Sequence, residues 1–137
     1  MFGPPGHAYV YFIYGCHFCV NAVCRPAGTA EAVLIRALES TLGIKLMQEN
    51  RPVSRTYHLT NGPAKLCQAM KIERVLDGVD LCDNEAPLFI ALNPAVAEFR
   101  SERGPMITTT RVGITQAADM PLRFYMAGSR FVSKRKT

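Results

Sequence analysis

The chain has 137 residues, 48% of them hydrophobic, with sixteen basic and eleven acidic side chains and a net charge of +5; the pI is near 9.1. That length is the size of one domain with a packed core, and the apolar stretch 9–24 is too short for a spanning helix and holds Gly15, His17 and Asn21. The mild cationic excess suits a polyanion, nucleic acid being the commonest, although many basic proteins bind nothing acidic.

Residues 1–8 form a Gly/Pro loop without the cationic and apolar regions of a signal peptide. A soluble protein of the cytoplasm (nucleoid-associated in a bacterium) or nucleus is therefore expected. Residues 9–14 and 17–24 read as paired strands. Tyr9 and Tyr11 alternate as same-face residues do, and Val10, Phe12 and Ile13 favour a pleated strand. Gly15 permits a tight turn or bulge, with Tyr14 at its tip, where a large aromatic is hardest to bury. An exposed aromatic there, in a basic chain, suits a wedge between stacked bases; an aromatic strand is equally the usual content of a core. Both readings stand at this point.

Residues 32–38 read as a strand too apolar for a surface, interrupted by Arg36. Ser40 is placed to cap a short helix over 41–49, and residues 50–60 read as a polar loop. Asn61-Gly62-Pro63-Ala64-Lys65 opens a helix with Pro63 at its first position. The N–H groups of that end, with Lys65, could hold a phosphate; a plain helix opening with a surface lysine fits as well. Residues 88–92 read as a strand, 101–105 as a charged loop, 107–114 as β-rich and 122–126 as a last strand, followed by a turn at 127–130. Lys134-Arg135-Lys136 reads as a solvated, frayed end. The expected fold is α+β, a single domain with a mixed, mostly antiparallel sheet and short helices.

Five cysteines, an odd number, argue against a disulfide framework. Cys16 and Cys19 form a C-x-x-C pair, which raises zinc or redox chemistry. Three residues apart on a strand they face opposite ways, and no second pair completes a four-cysteine site. Ordinary buried thiols are the default; no metal and no cofactor is expected.

Taken together the motifs resemble the alkyladenine, or 3-methyladenine, DNA glycosylase family. The resemblance rests on Met1-Phe2 with Pro5-Gly6, Tyr9 to Gly15, Phe18 to Asn21, Val33 to Glu39, Gly62 to Ala69, Arg111-Val112-Gly113, and Pro121 to Tyr125 followed by Gly128-Ser129. These blocks run in the family's order over nearly the whole chain. The resemblance implies that Tyr11 stacks on a flipped-out purine, that Tyr14 fills the gap left in the duplex, and that Asn21 at the pocket floor disfavours guanine. It implies further that Arg36, Lys65, Arg111 and Gly113 contact DNA or line the pocket, and that the partner is double-stranded DNA containing damaged purines, with no membrane.

The resemblance also implies an upstream Glu-x-Glu-Ala-Tyr segment carrying the general base and a second stacking tyrosine, and a histidine forming another pocket wall. No Glu-x-Glu occurs in the chain, and His7 does not fall at the family's histidine. The expectation is a domain lacking roughly its amino-terminal third, with Met1 matching an internal methionine. Glu31 and Glu39 are expected to be surface or structural. Two readings follow: a base-excision hydrolase identified by family, and a DNA-binding fragment that hydrolyses nothing alone. A metal or redox module on Cys16 and Cys19 is a third.

Overall fold

The computed structural model describes residues 1–135, which fall into two compact units, residues 1–92 and 93–135. Each carries its own antiparallel sheet, so the architecture is α+β as expected.

In the first unit, β1 (Ala8–Ile13) and β2 (His17–Val23) form a hairpin, and β3 (Ala32–Leu34) pairs with the far side of β2. The register sets Ala8 opposite Ala22, Val10 opposite Val20 and Phe12 opposite Phe18. Opposed residues share a face, and this face meets helix α2 (Pro63–Met70). Leu66 and Cys67 from α2 join Ala8, Val10, Val20, Ile72 and Leu81 in one buried cluster. Leu66 is completely buried, which is worth about 1.5–3 kcal/mol for a leucine. Pro63 occupies the first helical position as predicted, where a missing N–H costs nothing.

The outer edge of β1 is covered by the strand-like segment 77–81. Ala8 N–H donates to Val79 O at 2.8 Å, Gly78 N–H to Ala8 O at 2.9 Å and Leu81 N–H to Gly6 O at 2.8 Å. The Asp77 carboxylate takes the Val10 N–H at 2.9 Å. An otherwise open edge is thereby closed.

Several predicted elements come out differently. The strand expected over 32–38 stops at Leu34, and Val33 and Leu38 are exposed. It lies at the edge of a three-stranded sheet, so its apolar residues lack a layer on both faces. The helix expected over 41–49 is α1 (Ile44–Asn50), capped by Gly43 in a left-handed conformation. Ser40 instead shares a 2.9 Å hydrogen bond with Thr60, whose hydroxyl donates to Leu38 O at 2.6 Å. Residues 88–92 form no strand: among the described residues, Ile90 N–H to Leu81 O at 2.8 Å is their one ladder-like bond.

In the second unit, residues 101–103 are the end of a helix, α3 (Val96–Arg103), and not a loop. Its charges suit helix ends: Glu98 lies in the first turn, Arg100 and Arg103 in the last. Arg103 also lies over the Phe99 ring, 5.5 Å from its centroid. β4 (Met106–Thr109) and β5 (Arg123–Met126) pair from Met106–Met126 to Thr109–Arg123. Residues 110–114 leave the strand, with Gly113 at φ 71°. The tail is pinned through Arg135, contrary to the frayed end expected, because the Arg123 guanidinium donates to Ser133 O at 2.6 Å and Lys134 O at 2.8 Å. Lys136 lies outside the described residues. No described helix is long and apolar enough to cross a membrane.

The turn after β5 brings the Gly128 N–H to within 2.7 Å of Arg103 O. A β-carbon on residue 128 would lie 2.9 Å from that oxygen, inside any real contact. Gly128→Ala should therefore cost about 1–3 kcal/mol through overpacking, read as a lowered midpoint in thermal unfolding followed by circular dichroism.

Candidate nucleic-acid interface

The β1–β2 hairpin turns through Tyr14 and Gly15, both with positive φ (55° and 68°). This is the mirror-image pattern whose twist matches the flanking strands. Cys16 N–H closes the turn on Ile13 O at 3.3 Å. Left-handed backbone costs a residue with a β-carbon roughly 1–2 kcal/mol, and here it falls on a bulky aromatic. Below the tip, Phe12 and Phe18 meet across the strands with ring centroids 4.9 Å apart. Such a pair adds about 0.5–1.5 kcal/mol and stiffens the stem. Tyr14 is 84% exposed at its end.

The opposite face of the hairpin carries Tyr9 and Tyr11 on β1 and, directly across, Asn21 and Cys19 on β2. The two tyrosine rings stack, with centroids 5.4 Å apart and planes 25° from parallel. Asn21 is buried, and its Nδ2 donates to Tyr9 O at 3.2 Å. The Tyr11 side chain shares this face with its cross-strand neighbour Cys19. Burial, with Cys19 next in weight, pushes the Tyr11 phenol up to about 12. Burial also raises the Cys19 thiol, while the Tyr11 hydroxyl and the Arg36 guanidinium pull it down. Cys67 is pushed up to about 12 by burial. The result is a neutral aromatic wall beside a fixed amide, with the Arg36 charge felt at its base.

Tyr11 and Asn21 thus share one face, where the Arg36 charge acts on Cys19, and Tyr14 stands exposed at the end of the hairpin. Lys65 stands on the first turn of α2, its ammonium donating to Asn61 Oδ1 at 3.0 Å. Arg111 and Gly113 belong to the second unit, where Arg111 donates to Gln116 O at 2.6 Å and its Nε is buried without a partner. Cys16 is exposed in the turn and Cys19 buried on the strand. Among the described residues no three His, Cys, Asp or Glu side chains converge as a metal site.

Two contributors escaped the sequence reading. Cys19 acts on Tyr11 through cross-strand register, which a hairpin count from Gly15 could have supplied. Asp77 holds the strand backbone between Tyr9 and Tyr11 from 67 residues away, and nothing local announces that.

A family model for methylpurine-DNA glycosylase matches residues 1–130. A Methanoculleus marisnigri protein provisionally named 3-methyladenine DNA glycosylase is 51% identical over 135 residues, covering 98% of this chain and 68% of its own length. A Carboxydothermus hydrogenoformans protein of the same provisional name is 46% identical, with the same coverages. One from Rhodopseudomonas palustris is 47% identical over 134 residues, 98% of this chain and 61% of its own. The chain spans between three fifths and seven tenths of the length of these relatives.

The Tyr11 environment gives a pH signature. The folded state favours the protonated phenol, so this contribution to stability is complete below pH 10, where a free tyrosine begins to ionise, and is lost as the pH rises towards about 12. Absorbance titration of phenolate should show a step near pH 12, and Tyr11→Phe should remove that step.

Proposed function

The chain belongs to the methylpurine-DNA glycosylase family, and on that premise we propose that it serves base-excision repair as a DNA glycosylase. It flips alkylated purines of the 3-methyladenine type out of the duplex for hydrolysis of the N-glycosidic bond. The observation that carries this reading is the pairing of one exposed tyrosine at a hairpin tip with a stacked, neutral tyrosine wall and a buried amide on the adjoining face.

The chemistry follows from that arrangement. A base cannot be attacked at its sugar bond while stacked, so it is extruded. Tyr14 fills the vacated space as a planar wedge. Alkylation at N3 of adenine or N7 of guanine puts positive charge on the base, which an electron-rich ring face attracts more than a normal base. Tyr11, kept as the phenol and backed by Tyr9, supplies that face. Asn21, with its amide held by the Tyr9 carbonyl, cannot swing away from the exocyclic amine of guanine. The mismatch costs guanine about 1–3 kcal/mol, the penalty of an unsatisfied buried polar group. Arg36, Lys65, Arg111 and Gly113 contribute DNA contacts.

Hydrolysis also needs a base to activate water, typically worth about 10²–10⁴-fold. Glu31 is held by Arg25 at 2.7 Å on the surface, and the Asp77 carboxylate is spent on Val10 N–H. These commitments, and the lack of any Glu-x-Glu in the 137 residues, favour the second reading for them by themselves: DNA binding without base release.

Tyr14→Ala should weaken binding to a duplex with an abasic-site analogue several times more than binding to intact duplex, measured by fluorescence anisotropy; equal losses on both would sink the wedge role. Incubated with methylated DNA, the 137-residue chain should release no 3-methyladenine above background. The same chain extended by the matching amino-terminal segment of a relative should turn over, and in that context Asn21→Ser should raise release from guanine sites. Multiple turnover by the unextended chain would mean that one of its own acids is the base.

A further inference from the structure

The net charge is unevenly divided. Residues 1–92, which carry the hairpin, hold eight basic and eight acidic side chains, whereas residues 93–137 hold eight basic and three acidic. The entire excess of +5 therefore lies in the second unit, which the tyrosine face does not involve.

Within that unit a cleft of about 380 Å³ opens at the end of the β4–β5 ladder, where residues 110–122 leave the strands. Thr108, Thr109, Thr110, Arg123, Lys134 and Arg135 line it, and none of its lining residues is acidic. Thr109 and Arg123 are cross-strand partners, so their side chains share a face. Arg123 is only 6% exposed. Its ring of partners consists of the Ser133 and Lys134 carbonyls and the Tyr125 ring, 4.9 Å from the guanidinium carbon. Among the described residues no carboxylate pairs with it. A buried guanidinium offers five N–H donors, and burying its charge without a counter-ion is costly. Arg135 is fixed at the cleft by a hydrogen bond to Ser129 O. Lys134 adopts a left-handed backbone conformation, φ 49°, of the kind that persists where surrounding contacts impose it.

We propose that this cleft is a phosphate-binding site, in which a tetrahedral oxyanion supplies the counter-charge to Arg123, accepts hydrogen bonds from the threonine hydroxyls, and is met at the rim by Lys134 and Arg135. Hydroxyl and guanidinium donors without carboxylates are the chemistry of phosphate recognition. The phosphate has two sources, a strand phosphodiester or free phosphate. The strand source rests on the DNA-binding function proposed above; the site itself does not. With the strand as source, the second unit supplies the charge-driven part of binding and the neutral first unit the reading of the base.

The test uses the 137-residue chain at low ionic strength, titrated with inorganic phosphate and followed by amide NMR. Shifts are expected at Thr108 to Thr110, Arg123 and Lys134–Arg135, with none from chloride at matched ionic strength. Lys134→Gln and Thr108→Val, both at exposed positions, should each weaken phosphate binding, Lys134→Gln by about tenfold, the worth of one charge-assisted hydrogen bond. Arg100→Gln, an exposed cation outside the cleft, should leave it unchanged. In parallel, the slope of log affinity for duplex against log salt should fall in Lys134→Gln by about 0.9, one phosphate contact, if the strand is the source. An unchanged slope with weakened phosphate binding assigns the site to free phosphate and still supports it. Absence of shifts at Thr108 to Thr110, or equal phosphate affinity in Lys134→Gln and the parent chain, overturns the proposal. Failure of the parent chain to bind duplex at all would count against the glycosylase reading alone.

Discussion

The register of β1 against β2 is the constraint on which the first unit depends. With Val10 opposite Val20 and Tyr11 opposite Cys19, one face of the hairpin supplies the α2 core and the other the stacked tyrosines beside the buried Cys19 and Asn21. Side chains alternate with period two, so a slip of one residue would put the tyrosines into the core and the valines outside. The slip is opposed from several directions at once. Val10 and Val20 are buried against Leu66 and Cys67, the Tyr14–Gly15 turn fixes the loop length, and residues 77–81 clamp the outer edge of β1 by both backbone and carboxylate. Geometry at the tyrosine face is thus inherited from apolar packing on the other side of the same strands.

Buried polar groups do the remaining positioning. Asn21 is tied to the Tyr9 carbonyl, and Thr60 links Ser40 to the Leu38 carbonyl, holding down a stretch that has no regular structure. In the second unit Arg123 gathers two tail carbonyls. Each bond adds only about 1 kcal/mol net, but leaving a buried donor unmatched costs more. These groups therefore select one arrangement of loops more than they raise overall stability. Tyr14 is the converse case. Its left-handed backbone is a local cost, offset by the ladder below it, and the ring it presents has no packing role of its own.

Charge and shape are divided between the two units. The stacked tyrosines and the exposed Tyr14 belong to a unit with balanced charge, and the cationic excess to the other. Stacking tolerates salt, whereas phosphate contacts weaken steeply with it.

The hairpin was legible in the sequence because its signals are local: alternating aromatics, β-branched neighbours and a glycine three residues before the next apolar run. Pro63 announced α2 in the same way, and the family's blocks named Tyr11, Tyr14, Asn21 and Arg36 by their order along the chain. Apolar composition misled at 32–38 and 88–92, since a run of valine, leucine and isoleucine becomes a strand only when a neighbour completes its ladder. Ser40 had the chemistry of a cap and became a bridge to Thr60, because a partner twenty residues away outcompeted the local helix. The Asp77 clamp, the Tyr11–Cys19 pair and the cluster around Arg123 were invisible for the same reason. Each joins residues distant in sequence, and only packing brings their donors and acceptors within reach.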